Sequence, residues 1–217
     1  KNHEYISTNS IVSQNYSQSE NIIIKDKNFL LFSSNIDKYF KPILTNIKLT
    51  IGGTKSNFQN IVNNSDLRTV INSSFNYGFE LRSSFKDFLN FNIGSKWEYN
   101  EVNTIFKNSY NENNSFIDLY FILNKKINFQ LETERYYNSN LDKKNNKYYF
   151  MDLELNYVPN KNKLSFSILA NNLFNTKTFK NYLVDDVSIS KTEYRLLPRY
   201  ILLKIDFRFW NLIKFVN

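Results

Sequence analysis

From Arg199 to Phe209 the chain reads RYILLKIDFRF, and every second residue from Ile201 on is apolar. Ile201, Leu203, Ile205, Phe207 and Phe209 fall on one side, and Lys204, Asp206 and Arg208 on the other. Successive strand side chains point to opposite faces, so this stretch predicts a strand with one oily and one charged face. The period recurs. In 43–52, Ile43, Ile47, Leu49 and Ile51 oppose Asn46, Lys48 and Thr50. In 69–82, Phe75, Tyr77, Phe79 and Leu81 oppose Asn76, Glu80 and Arg82. In 89–100, Phe91, Ile93, Trp97 and Tyr99 oppose Asn92, Lys96 and Glu98. In 127–134, Ile127, Phe129 and Leu131 oppose Gln130, Glu132 and Glu134. In 149–157, Met151, Leu153 and Leu155 oppose Asp152, Glu154 and Asn156.

Segments 29–37, 115–124 and 164–172 alternate less regularly, and 3–13 and 21–25 are read as further strands. No segment carries a helical period. The sum is roughly nine or ten antiparallel strands, each near the 9–11 residues that cross a bilayer at a tilt. No apolar run reaches the roughly 18 residues of a membrane-spanning helix. An all-β chain of this kind either spans a membrane as a β-barrel or packs as a soluble sandwich. In a sandwich the oily faces meet each other; in a barrel they meet lipid and the charged faces line a lumen.

The connections favour the barrel. Short ones fall near Lys38–Pro42, Lys86–Leu89, Lys125–Lys126 and Pro159–Lys163, and longer polar ones over 54–66, 102–114, 138–147 and 174–194. Short turns at one end and long loops at the other are the layout of outer-membrane barrels. Gly52-Gly53 reads as a turn-forming pair at a strand end. The aromatic residues form two groups. Trp97, Tyr99, Tyr136, Tyr137, Tyr148 and Tyr149 lie toward the long loops. Tyr39, Phe40, Phe85, Phe88, Phe91, Phe166, Phe207, Phe209 and Trp210 lie toward the short turns. Rings gathered at two levels match two water–lipid interfaces.

Composition narrows function by exclusion. There is no Cys, so no disulfide or thiolate metal site. The one His, His3, stands alone, and no G-x-S-x-G occurs, so neither an enzyme nor a cofactor is expected. The net charge of +8 comes from scattered Lys residues such as Lys143, Lys144, Lys147, Lys161 and Lys163, without the compact basic run expected of a nucleic-acid binder. The chain opens on Lys1, and residues 1–20 hold no apolar secretory run; an export signal is expected upstream.

Two C-terminal stretches carry a family resemblance: Asn171-Asn172-Leu173-Phe174-Asn175, and Leu197-Pro198-Arg199-Tyr200 leading into Ile201–Phe209. Together they resemble the end of TonB-dependent receptor barrels, especially of the Bacteroidetes type, whose last long loop Asp186–Arg199 also fits. The resemblance implies the C-terminal part of a plugged barrel of about twenty-two strands, in the cell outer membrane. Such a protein imports an iron chelate, cobalamin or glycan. It meets TonB through an N-terminal plug region upstream, and a surface lipoprotein is a further partner. Residues 1–209 would be partial barrel and 210–217 a tail or strand extension. Family chains stop at the terminal aromatic, whereas WNLIKFVN follows Phe209 here.

The charged face supplies the lumen candidates. They are Lys48 in the first clear strand, Glu80 and Arg82 in the next, and Lys96 and Glu98 after them. Glu132 and Glu134 precede the 138–147 loop and Asp152 and Glu154 follow it; Lys204, Asp206 and Arg208 close the set. The four carboxylates around that loop should meet across a hairpin, and Lys96, Arg82 or Arg208 are the expected counter-charges, since opposed like charges destabilise. Ligand contacts are expected on the 174–194 loop, at Tyr182, Asp185, Asp186, Lys191 and Tyr194.

Overall fold

The computed structural model describes residues 4–12, 17–25, 27–83, 88–159 and 164–207. Arg208, Phe209, Phe85 and the 210–217 tail lie outside the described residues. Among the described residues thirteen strands are present: β1 Glu4–Val12, β2 Ser17–Lys25, β3 Asn28–Phe40, β4 Thr45–Val62, β5 Arg68–Ser83, β6 Leu89–Asn103, β7 Lys107–Ile122, β8 Ile127–Asn138, β9 Lys147–Tyr157, β10 Leu164–Asn171, β11 Thr178–Val184, β12 Ile189–Arg195 and β13 Tyr200–Phe207. Among the described residues there is no α-helix.

Nine strands, β3 through β10 and then β13, form one antiparallel sheet in which each pairs with the next in that order. The chain is all-β, as the alternation predicts. The sheet is open: β3 and β13 are its edges. A β1–β2 hairpin joins it through a two-residue parallel pairing, Asn9 with Ile61 and Ser10 with Val62. The period-two pattern holds through the register, because oily residues pair with oily ones. Phe91, Leu119, Leu131, Leu153, Ala170 and Ile201 form one continuous row across six strands.

Two expected long loops are strand instead. β4 runs to Val62, and β6 and β7 run to Asn103 and from Lys107, so the connections shrink to 63–67 and 104–106. Residues 54–62 and 107–114 are Asn- and Ser-rich, which reads as loop chemistry. Here their backbones are satisfied by a neighbouring strand, and part of their polar face, Asn60 and Tyr110 included, is covered by a later segment of the chain. Gly52 and Gly53 are not a turn either. They sit mid-strand, Gly53 directly opposite Phe32 on β3 and Phe75 on β5. A Cβ on Gly53 would lie 2.6 Å from Phe32 Cε1, so the ring occupies the space a side chain would fill. Ile43 falls in a 3-10 turn, Lys41–Ile43, rather than in β4.

The oily stretch slides along the strands from one edge of the sheet to the other. On β5 it covers Phe75–Leu81 and on β13 Ile201–Phe207. Leu81 lies in register with Ile93, Ile117, Thr133 and Met151, one row above the row that ends at Ile201. The two four-residue patches are therefore displaced by a full eight residues along the strand direction. These residues are not covered: Leu49 is 46% exposed, Ile51 44%, Ile201 72% and Leu203 62%.

The 172–199 connection holds the β11–β12 hairpin, which folds back over the other, polar face as a strap. Phe179 packs on Tyr136 and Tyr148 of β8 and β9, Tyr182 meets Tyr110 of β7, and Asp186 reaches Asn60 and Arg68 of β4 and β5. Seven residues from Phe179 to Asp186 extend about 23 Å, and the four to five strand spacings they cross span about 19–24 Å. Val70, Tyr110 and Tyr148, three of the buried apolar side chains among the described residues, belong to this polar face. Packing is thus inverted relative to a soluble sheet protein, with the buried side chains near the strap and the oily face bare.

Candidate functional site

The polar face brings the predicted charged residues together. Lys48 and Glu80 are directly paired across β4 and β5, with Lys48 Nζ 3.9 Å from the carboxylate. Arg82 binds Asp37 at 2.7 Å and Glu80 at 3.2 Å. The expected pairing of Arg82 with the carboxylates of β8 and β9 is therefore not found, because acids on β3 and on its own strand are nearer. Lys204 and Asp206 are neighbours on this face of β13, 3.0 Å apart. Arg208 lies outside the described residues.

Glu132 and Asp152 stand directly opposite each other, as the hairpin predicts, and Asp118 of β7 extends the row. Among the described residues none of Asp118, Glu132, Glu134, Asp152 and Glu154 has an ion pair. Each is held by a neutral donor instead. Asn92 Nδ2 donates to Asp118 at 3.2 Å, Gln130 Nε2 to Glu132, and the Tyr136 hydroxyl to Glu134 at 2.9 Å. The Asn172 backbone N–H donates to Asp152 at 2.7 Å, and Asn156 Nδ2 to Glu154 at 2.9 Å. Amide and hydroxyl donors hold these carboxylates in place without neutralising them, which leaves this part of the face negative. No group of three or more acidic or His side chains among the described residues has the arrangement of a metal site.

Above the acid row, between sheet and strap, lies a cavity of about 520 Å³. Lys96, Glu98, Glu112, Asn114, Tyr136 and Tyr148 form its wall, and Phe179, Lys180 and Asn181 of the strap its roof. The volume is in the range of small-molecule pockets, about 300–1,000 Å³. Lys96 has no ion pair among the described residues. Glu98 and Glu112 face each other directly across β6 and β7, Glu112 accepting from Asn138 Nδ2 at 2.7 Å. The cavity is therefore amphoteric, with amide dipoles and ring faces beside both signs of charge.

The ligand-loop candidates divide. Tyr182 and Asp186 point to the sheet. Asp185 is at the strap's turn, and Lys191 and Tyr194 are on the exposed β12, with Tyr194 stacked on Phe179 at a centroid distance of 6.4 Å. Arg68 Nη2 donates to Asp186 Oδ2 and to its backbone oxygen, both at 2.9 Å, and Arg68 Nε donates to Asn60 Oδ1 at 2.8 Å. Burial, together with the neighbouring Asp185, pushes the Asp186 carboxyl above the usual aspartate range, against the pull of Asn60 and Arg68. Asn60, Arg68, Glu112 and Phe179 belong to this site and escape a reading of the sequence. Only the alternation through 107–114, masked by Asn on both faces, could have flagged Glu112. Tyr136 and Tyr148, expected in an interfacial belt, face the strap instead.

Compared with known proteins, the chain matches no family model, no curated protein and no solved structure.

Proposed function

We propose that the nine-stranded sheet is part of the wall of an outer-membrane β-barrel, oily face to lipid and polar face to a lumen, in a TonB-dependent importer of a small nutrient. The slope of the oily stretch carries this proposal. Eight residues of displacement over the six steps from β5 to β13 is about 1.3 residues per strand. At about 3.3 Å per residue and about 4.8 Å between strands, a band held level would then require a tilt of about 42°. Membrane barrel strands lean by about 35–45°. A partner sheet in a sandwich would impose no such slope, and the strap occupies the polar face rather than the oily one.

The width agrees. From Tyr149 to Tyr157, and from Trp97 to Leu89, eight residues along the strand give about 26 Å, or about 20 Å along the normal at that tilt. The apolar band of outer-membrane barrels is about 25 Å tall. The slope also accounts for Arg135, a charge on the oily side of β8 bonded to Asn113 Oδ1 at 2.9 Å. It shares a row with Phe79 of β5 but lies above the band on its own strand. β3 and β13 run in the same direction, so an all-antiparallel ring needs an odd number of further strands between them.

Active import, as opposed to a passive or structural barrel, is supported by the resemblance of Asn171–Asn175 and Leu197–Phe209 to TonB-dependent receptors. Uptake by cells that persists after TonB is removed would assign the passive alternative. The membrane part is tested by nitroxide labels on the full-length protein in vesicles. Labels at Phe75, Leu155 and Leu203 should be relaxed by oxygen, and labels at Asn76, Glu154 and Lys204 by a water-soluble nickel chelate. Labels of the first set protected from both would indicate a packed protein core and reject the proposal.

A further inference from the structure

The strap is held unevenly along its length. Its root is tied by a dense set of bonds around Asn172, whose φ of 51° is left-handed. Asn172 Nδ2 donates to the backbone oxygens of Thr176 at 2.9 Å and Leu197 at 2.8 Å, and Asn172 Oδ1 accepts from the Thr176 N–H at 2.9 Å. Thr176 Oγ1 donates to the backbone oxygen of Tyr149 at 2.6 Å. One turn on, Phe179 sits in a nest of rings, with centroids 5.0 Å from Tyr148 and 5.5 Å from Tyr136, and the Lys180 N–H donates to the Tyr148 hydroxyl at 3.2 Å.

Beyond Lys180 the attachment thins. Tyr182 makes one edge contact with Tyr110, and the tip is bonded through Arg68, Asn60 and Asp186. The side chains of Arg68 and Asp186 are 16% and 13% exposed, so this is a largely desolvated bond with a definite geometry. Among the described residues nothing covers β12, which is exposed at all seven positions. A hairpin with a fixed root, a seated first turn and one polar anchor at the tip has one easy motion, in which the anchor breaks and the distal part lifts. That part roofs the cavity through Asn181.

We propose that the distal half of the strap, residues 181–190, is a lid over the cavity, and that Arg68, Asn60 and Asp186 are the latch that holds it shut. As a gate on uptake, it rests on the assignment of the polar face to a lumen. The chemistry of the latch predicts which substitutions release it. Asp186→Asn keeps an oxygen to accept from Arg68 and Asn60, whereas Asp186→Ala removes it. Arg68→Gln shortens the other half.

The test uses the full-length protein in vesicles, with spin labels at Ser65, beside the latch on the sheet rim, and at Ser188 on the lid tip. Both positions are exposed, and the described chain contains no Cys to compete for the label. Pulsed dipolar distances should form one narrow short population in the unsubstituted protein and in Asp186→Asn. Asp186→Ala and Arg68→Gln should each add a longer population. Entry of a small neutral sugar into the vesicles should rise several-fold in those same two variants. Unchanged distances in both would overturn the lid. Lengthened distances with unchanged entry would support the lid and count against the lumen.

Discussion

Replacing Phe79 with Arg should be costly and replacing Tyr149 with Arg should not, although both residues lie in one row. Phe79 pairs with Ser95, Ser95 with Ser115, Ser115 with Arg135 and Arg135 with Tyr149. In a flat packed core, residues of one row would share one environment. With the band sloping by about 1.3 residues per strand, the four steps from β5 to β9 raise Tyr149 by about five residues relative to the band. At a tilt of about 42° that is about 13 Å closer to the interface than Phe79. A lipid-facing Arg costs about 2–4 kcal/mol at the bilayer midplane and about 0–1 near the interface. The difference between the two Arg variants should therefore be about 2 kcal/mol, a factor of roughly thirty in the folding equilibrium. Equilibrium unfolding of the full-length protein from phospholipid vesicles measures it. Ala at each position serves as the baseline, because Tyr149 also loses an edge contact with Phe174 at 6.3 Å. Arg costs equal within about 0.5 kcal/mol after that correction would refute the sloped band.

Gly94→Ala should destabilise the sheet by about 1–3 kcal/mol, since its Cβ would lie 2.5 Å from Phe116 Cζ and 2.9 Å from the Phe79 backbone oxygen; adding Phe116→Leu should recover part of the loss in the same unfolding measurement. Lid closure should tighten as pH falls. Asp186 takes up a proton more readily when docked between Arg68, Asn60 and Asp185 than when released, so the docked state gains over the window from the ordinary aspartate pKa of 3.8 up to the raised docked value and is weaker above it. The Ser65–Ser188 distance followed against pH reads this, and Asp186→Asn should abolish the dependence. Glu132→Gln with Asp152→Asn should add about 0.2–1 kcal/mol of stability by removing opposed like charges, and, if the polar face lines a lumen, should move the reversal potential of the full-length protein in a bilayer toward anions; a potential unchanged from the parent would place these carboxylates away from any such path.

Strand identity and facing were legible wherever oily and charged residues alternate without interruption, as in Ile201–Phe207 and Ile127–Glu134, because a strand can satisfy that pattern in only one orientation. The pairing of Glu132 with Asp152 was legible for the same reason, since both flank one loop. The strands of 54–62 and 107–114 were not, because Asn and Ser serve a paired strand with a polar cover and a loop equally well. The Gly52-Gly53 pair misled for a related reason: a residue without a side chain signals missing volume, and the sequence does not say whether a turn or a neighbouring ring, here Phe32, takes that volume.

Alternation along the chain is a local property, set by the two-residue repeat of the backbone, and it was enough to establish an all-β chain with two unlike faces. The tilt of the oily band needed the register, which relates residues tens of positions apart. The strap needed still more. Phe179, Asp186, Arg68 and Asn60 come from segments up to 126 residues apart, and no periodicity connects them. They meet only because a hairpin laid across the strands is long enough to reach from β9 to β4, and that length acquires meaning only once the strands stand side by side.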